Sequence, residues 1–289
     1  MTRVTTRRPT LRITAGGPIR RPDTLAVEEP LEIRLDGEPL TVTMRTPGDD
    51  IDLVHGFLFS ENLIEDAQDI VSARYCAGTG PDGQNTYNLL DIRLRTAVPV
   101  RPRAFVTSSS CGVCGKTALD EVTTRTRHPL RAPAAPLVDT DLLARMPREL
   151  RSRQKVFDTT GGLHAAGLFS ATGELLAVRE DVGRHNAVDK VIGWALQHRR
   201  LPAPDLILVV SSRASFELVQ KAVMAGIPLL AVVSAPSSLA VDLAGEAGMT
   251  LVGFLRGDTM NIYTGAERIR LAGAPDEVPD SGYETVAHR

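Results

Sequence analysis

The chain has 289 residues, 43% of them hydrophobic, with 33 Lys and Arg against 35 Asp and Glu and a formal net charge of -2. That length suits two domains of ordinary size. The charge balance gives no electrostatic reason to expect nucleic acid as the main partner, and no apolar run approaches the roughly 20 residues that cross a bilayer.

Residues 1–22 are rich in Arg, Thr, Gly and Pro and are expected to be a flexible lead-in. The arginines there are not followed by an apolar stretch, so the segment does not read as a secretory signal. Leu31-Glu-Ile-Arg-Leu35 and Leu40-Thr-Val-Thr-Met44 alternate apolar and polar residues around Asp36-Gly-Glu-Pro39, which predicts a hairpin. Thr46-Pro47 offers a helix cap and a first-turn proline. Ile51, Leu53, Val54, Phe57 and Leu58 follow at helical spacing, and Asn62 can close that helix. His55 within it reads as a satisfied histidine rather than a ligand. Strands are expected near Ala73–Cys76 and Asn88–Leu94, with Cys76 structural.

Two of the three cysteines sit together in Thr107-Ser-Ser-Ser-Cys111-Gly-Val-Cys114-Gly-Lys116. Small and hydroxylated neighbours present a thiol well and fill a core poorly. Lys116 and a following helix N-terminus can lower the pKa of Cys111, and the thiolate is the reactive form. A buried inert thiol, a zinc site and a thioredoxin-like redox pair are the other readings. Zinc needs four ligands and this motif supplies two. The redox pair needs a neighbouring βαβ unit. An odd, low cysteine count fits a reducing compartment, and a cytoplasmic protein is expected.

The organisation read from these patterns is an α+β domain over 23–128 that ends in the cysteine loop, a Pro-rich linker over 129–147 with a short helix at Asp141–Arg145, an α/β domain over 148–270 and a frayed tail over 271–289. In the second domain Leu206–Val210, Leu229–Val233 and Leu251–Leu255 are continuous apolar runs, as in strands buried on both faces. Helical patterns at Asn186–Gln197, Phe216–Ala225 and Leu239–Ala247 lie between or before them, with Gly226 and Gly248 where helix C-caps belong. This alternation predicts a mostly parallel sheet covered by helices.

Ligands of such sheets bind beyond the carboxyl ends of the strands. Those ends carry Ser211-Ser212-Arg213, Ser234-Ala-Pro-Ser-Ser238 and Arg256-Gly257-Asp258-Thr259. Hydroxyls, free helix N–H groups and two arginines on one edge suit phosphate, while ordinary capping explains each loop taken alone. No G-x-x-x-x-G-K-[ST] or G-x-G-x-x-G is present. His164, in a small apolar run, and the polar segment Arg179–Asn186 are further candidates: Asp181 or Asn186 for a helix cap, the cluster for ligand contact or for orienting the cysteine loop.

Five segments in order, S-S-S-C-G-V-C-G-K, T-G-G-L-H-A-A-G, E-D-V-G-R-H-N-A-V-D-K, S-S-R and F-L-R-G-D-T-M-N-I-Y-T, closely resemble the FdhD/NarQ family of formate dehydrogenase accessory sulfurtransferases over residues 25–270. The resemblance implies that Cys111 accepts persulfide sulfur from a cysteine desulfurase, with Cys114 assisting or dispensable. The sulfur then passes to the metal of a bis-molybdopterin guanine dinucleotide cofactor destined for formate dehydrogenase. It implies a cofactor site at Phe254, Leu255, Arg256, Gly257, Asp258 and Thr259, to which the strand-end reading adds Ser212 and Arg213. It further implies a three-layer second domain similar to the cytidine deaminase fold, and a homodimer. A zinc nucleobase deaminase is disfavoured, because His164-Ala-Ala166 lacks the glutamate of H-x-E and no P-C-x-x-C follows. A cofactor-binding chaperone without sulfur chemistry is the second reading.

Overall fold

The computed structural model describes residues 4–76, 86–97 and 126–271. Strands β1 (Thr5–Thr14) and β2 (Gly17–Ala26) form an antiparallel hairpin running from Thr5 opposite Ala26 to Thr14 opposite Gly17. The stretch expected to be a flexible lead-in is therefore paired from residue 5. Its Arg and Pro content hid a set of strand formers (Thr5, Thr6, Thr10, Leu11, Ile13 and Ile19) on either side of a short turn.

The predicted hairpin follows as β3 (Glu29–Leu35) and β4 (Glu38–Arg45). Asp36 and Gly37 both have positive φ, 50° and 88°, the two-residue turn whose twist matches that of its strands. With β5 (Ile70–Tyr75) and β6 (Leu89–Leu94) they make a sheet in the order β4-β3-β6-β5. Helix α1 (Asp50–Ser60) lies between β4 and β5 in the chain. Its cap is Asp49 rather than Thr46, because Thr46 is engaged elsewhere: its N–H donates to Asp181 and its hydroxyl accepts from the N–H of Val182. Asn62, at φ 63°, turns the chain out of the helix as expected, and its N–H donates to the carbonyl of Phe59.

The second sheet has six strands in the order β13-β12-β11-β10-β8-β9. These are β8 (His164–Ser170), β9 (Leu175–Asp181), β10 (Leu206–Val210), β11 (Leu229–Val232), β12 (Thr250–Arg256) and β13 (Thr259–Thr264). β10, β11 and β12 pair in parallel and β9 runs in the same direction, while β8, which separates β9 from β10, and the edge strand β13 run antiparallel to them. The expectation of a mostly parallel sheet is corrected to a mixed one. The three bulky apolar runs are the parallel strands, while β8 is built of small residues and β9 ends in Arg179-Glu-Asp181, patterns that resemble loops when read alone.

Alternate residues of the central strands serve two cores. Leu208, Val210, Leu230 and Val232 face one side, under helices α4 (Arg184–Gln197), α5 (Phe216–Met224) and α6 (Ser238–Glu246). Ile207, Val209, Leu229 and Ala231 face the other, with Leu143, Met146 and Leu150 of α2 (Thr140–Ser152). Helices thus cover both faces in three layers. Helix α2 is far longer than the short segment expected at Asp141–Arg145 and runs through Pro147. Its buried stripe, one residue every three or four, outweighs the lost backbone hydrogen bond at the proline. Short strands β7 (Val138–Asp139) and β14 (Ile269–Arg270) pair in parallel beside it, and helix α3 (Lys155–Thr160) precedes β8. Gly226 and Gly248 lie just past α5 and α6 at φ 66° and 65°, the left-handed geometry that ends a helix.

The two sheets share an apolar core that runs from Leu31 and Leu90 to Leu208 and Leu251. Helices α1 and α4 cross at Gly56 and Gly193. A side chain at Gly56 would strike the carbonyl of Asp189, and one at Gly193 that of Asp52. This close approach sets the depth at which α4 lies, and with it the position of its N-terminus. No helix of the described residues is long and apolar enough to cross a membrane.

Candidate functional site

The strand directions bring one set of chain ends to a single edge of the second sheet. β10, β11 and β12 end there. β8, antiparallel to β10, begins there at His164, and β9, antiparallel to β8, ends there at Asp181 opposite His164. The same edge carries the N-termini of α4, α5 and α6.

Backbone hydrogen bonds fix the loops side by side. Ser234 N–H donates to Ser212, Ala214 N–H to Ala235, and Ser237 N–H to Ala214. Phe254 N–H donates to Ser234, and the Arg256 Nε to the carbonyl of Val233 at 2.9 Å. Ser211 closes the β8 side: its Oγ accepts from Ala165 N–H at 2.9 Å, and its N–H donates to the Ala165 carbonyl.

The residues of the expected cofactor loop divide by environment. Leu255 is buried in the core on the α2 side and anchors the loop. Phe254 is 40% exposed and sits at φ 52°, a left-handed conformation costing an L-residue about 1–2 kcal/mol. A break in register between Gly253 and Arg256 produces this turn-out of an aromatic ring. Gly253 is required beneath it, because a Cβ there would lie 2.9 Å from both Pro236 and Tyr263. Gly257, at φ 55°, turns the chain into β13 with open space where a side chain would stand. Thr259 Oγ1 donates to the Arg256 carbonyl at 3.0 Å, and Arg256 and Asp258 are exposed. Ser212 is buried, and its hydroxyl donates to the carbonyl of Arg213, which leaves Arg213 as the exposed group of that pair.

The segment Glu180–Lys190 separates into two kinds of residue. Asp181 is fully buried. One of its oxygens accepts from Gly183 N–H and Asn186 Nδ2; the other accepts from Thr46 N–H and pairs with Lys190 Nζ at 2.8 Å. Lys190 also donates to the Thr46 carbonyl, and Asn186 to that of Met44. Asp189 pairs with Lys221 at 2.7 Å. Glu180 accepts from the N–H groups of Val156 and Phe157 at the start of α3. These residues bind the end of β9 to the end of β4 and seat α4. Neither Asp181 nor Asn186 caps α4: its cap position is Gly183, without a side-chain bond.

Arg184 and His185 are left for the edge. His185 Nε2 lies 2.8 Å from Glu217 Oε2 and 3.2 Å from Ser215 Oγ. The bond from His185 holds the Glu217 carboxyl below its usual range. Burial pushes the His164 imidazole down, and the positive charges of Arg184 and His185 push it further. Burial, and then the charge of Arg213, also lowers Arg184. Arg184 thus lies within reach of the charge of Arg213 and of His164, at the point where His185 bonds the first turn of α5. Glu217 belongs to this cluster and carried no sequence signal beyond its place in the first turn of α5. The arrangement suits an anionic ligand bearing an aromatic ring: cations and free helix N–H groups for phosphate, Phe254 for a base. Among the described residues no group of three or more His, Cys, Asp or Glu is placed to hold a metal. Cys111 and Cys114 lie outside the described residues. Cys76 is partly exposed just after β5, and its N–H donates to Leu89.

The family model FdhD-NarQ, described as the FdhD/NarQ family, matches residues 26–270. The chain belongs to that family. A curated relative from Nocardia farcinica, named sulfur carrier protein FdhD, is 68% identical over 272 residues, covering 94% of this chain and 97% of the relative. One of the same name from Streptomyces coelicolor is 57% identical, covering 95% and 99%. A crystal structure described as a candidate formate dehydrogenase accessory protein from Desulfotalea psychrophila superposes with a TM-score of 0.71 at 25% identity, covering 93% of this chain and all of that one. The match starts at the last residue of β2, so the β1–β2 hairpin precedes the segment that the family model describes.

Proposed function

We propose that this chain is a sulfur carrier serving formate dehydrogenase. Cys111 takes sulfur as a persulfide from a cysteine desulfurase and delivers it to the metal of a bis-molybdopterin guanine dinucleotide, which is the cargo of the reaction. Family membership and relatives named as sulfur carriers support the role. The observation that carries the cofactor part is the sheet edge itself, where the loops bearing Phe254, Arg256 and Arg213 lie side by side, with open space at Gly257.

In this reading the ring of Phe254 stacks on the guanine base. Arg256 and Arg213, with Thr259, face the phosphates of the two dinucleotide arms, Gly257 and Asp258 shape the turn, and Leu255 and Ser212 hold the two loops from beneath. Cys114 assists transfer. The protein works in the cytoplasm as a homodimer, and its second domain is similar to the cytidine deaminase fold. The thiolate form of Cys111 is the nucleophile that accepts sulfur.

Incubation of the full chain with a desulfurase and cysteine, followed by mass spectrometry, tests the carrier. Mass is expected to rise in steps of one sulfur atom, confined to the peptide holding Cys111 and Cys114 and absent in Cys111→Ala. Sulfur on Cys76 instead, or full activation of formate dehydrogenase by Cys111→Ala, would overturn the assignment. A Cys111→Ala protein that binds GDP like the wild type and still activates the enzyme would favour a cofactor chaperone.

A further inference from the structure

Arg184 is the first residue of α4, where the helix dipole presents positive charge. An arginine there is the wrong choice for stability, and no acidic residue in the first turn offsets it. Its Nε is buried and has no hydrogen-bond partner among the described residues. Arg184 and Arg213 form no ion pair among those residues either. The acidic group whose charge acts on Arg184 is Glu217, and His185 already holds that carboxylate at 2.8 Å. Asp181, three residues back, is spent on Lys190, Asn186 and backbone N–H groups. A buried Nε–H without an acceptor, on a partly exposed guanidinium in the field of a second one, is costly unless an anion completes it.

We propose that Arg184 and Arg213, flanked by His164, form an anion seat for a phosphate or diphosphate group, separate from the Arg256 loop. Arg213 leaves the end of β10 and Arg256 the end of β12, with β11 between them. At the usual strand spacing that separation is about 10 Å, whereas the N-terminus of α4 folds back over β8 toward Arg213: His185, next to Arg184, lies 3.2 Å from Ser215, two residues past Arg213. One compact phosphate group does not bridge the two places, whereas a ligand with two phosphate-bearing arms occupies both. A bis-dinucleotide has two such arms, so the choice of that ligand rests on the function proposed above. The seat itself rests on the geometry.

Titration calorimetry of the full chain with inorganic pyrophosphate tests the seat without any cofactor. Arg184→Met and Arg213→Met should each weaken binding about 10- to 100-fold, the worth of a charge-assisted hydrogen bond, and Arg256→Ala should weaken it less. Arg184→Lys keeps the charge but loses the Nε donor, and should fall between wild type and Arg184→Met. This milder variant keeps the test open if Arg184→Met folds poorly. Wild type that does not bind pyrophosphate, or equal binding by wild type, Arg184→Lys and Arg184→Met, overturns the seat. A parallel GDP titration separates the two readings. GDP binding that depends on Arg256, together with pyrophosphate binding that is indifferent to Arg184, keeps the cofactor loop and removes the second seat. Pyrophosphate binding that needs Arg184 keeps the seat even if sulfur never loads on Cys111.

Discussion

Two charged clusters lie within two turns of one another on α4, and they are built on opposite terms. In the first, Asp181, Asn186 and Lys190 are buried and answer one another atom for atom, with Thr46 and Gly183 completing the set. In the second, Arg184, His185 and Arg213 crowd positive charge at a helix N-terminus, with one carboxylate, Glu217, among them. Matched charge in the interior holds architecture together, here the joint between the two sheets. Unmatched charge at an edge costs stability and is retained for what it binds.

The comparison breaks most visibly at Lys190. Lys190→Met removes the cation from a buried pair and leaves Asp181 charged with only N–H donors around it. Losing one partner of such a pair costs about 3–5 kcal/mol. Urea unfolding should show that loss as a lower midpoint with an unchanged slope. A change under about 1 kcal/mol would mean that the backbone and Asn186 donors suffice, and that the pair is not what joins β9 to β4.

The two clusters also differ in how far the sequence reveals them. Residues 180–190 are conspicuous as a motif, but nothing in their order separates the glue from the site. Asp181 and Arg184 look alike in sequence and part company only through what the fold brings to them: Thr46, 135 positions back, donates to Asp181, whereas Arg184 meets the like charge of Arg213 from the loop after β10. The strand-end loops after β10, β11 and β12 were legible because bulky apolar runs mark buried strands and the topology then fixes their ends. β8 and β9 were not, since His164-Ala-Ala-Gly167 has no bulk and β9 turns charged where it meets the site. The residues proposed to carry the sulfur chemistry, Cys111 and Cys114, are read from the sequence alone and lie outside the described residues. Phe254 shows the opposite limit: its place in a recognisable motif was plain, but its left-handed turn-out is a tertiary fact.

Arg184→Met should act in the other direction from Lys190→Met. It removes a positive charge from the positive end of α4 and relieves its repulsion with Arg213. Each effect is worth about 0.3–1 kcal/mol at a partly exposed site. Together they should stabilise the variant by about 0.6–2 kcal/mol in low salt and by less in high salt, because screening weakens both terms. A destabilised Arg184→Met, insensitive to salt, would place Arg184 with the glue.

The smallest effect expected is a change in pH dependence at His164. Burial, with Arg184 and His185 nearby, lowers its folded-state pKa, and the charge of Asp181 opposes that only in part. The unfolded chain holds the proton up to about pH 6.5. Between the depressed value and that point the unfolded state binds more protons, so stability rises with pH. Stability from this group is fully present above about pH 6.5 and is lost as pH falls through the folded value. His164→Gln should therefore flatten the fall in melting temperature from about pH 7.5 to 5.5. Some slope should remain, because burial lowers His55 as well, against the bond its Nδ1 makes to the Ile51 carbonyl. Adding Arg184→Met to the wild type should give part of the same flattening, since it removes one of the charges that depress His164. An unchanged slope in both variants would show that His164 does not share the field of the arginine cluster, and would shrink the open site to Arg184 and Arg213.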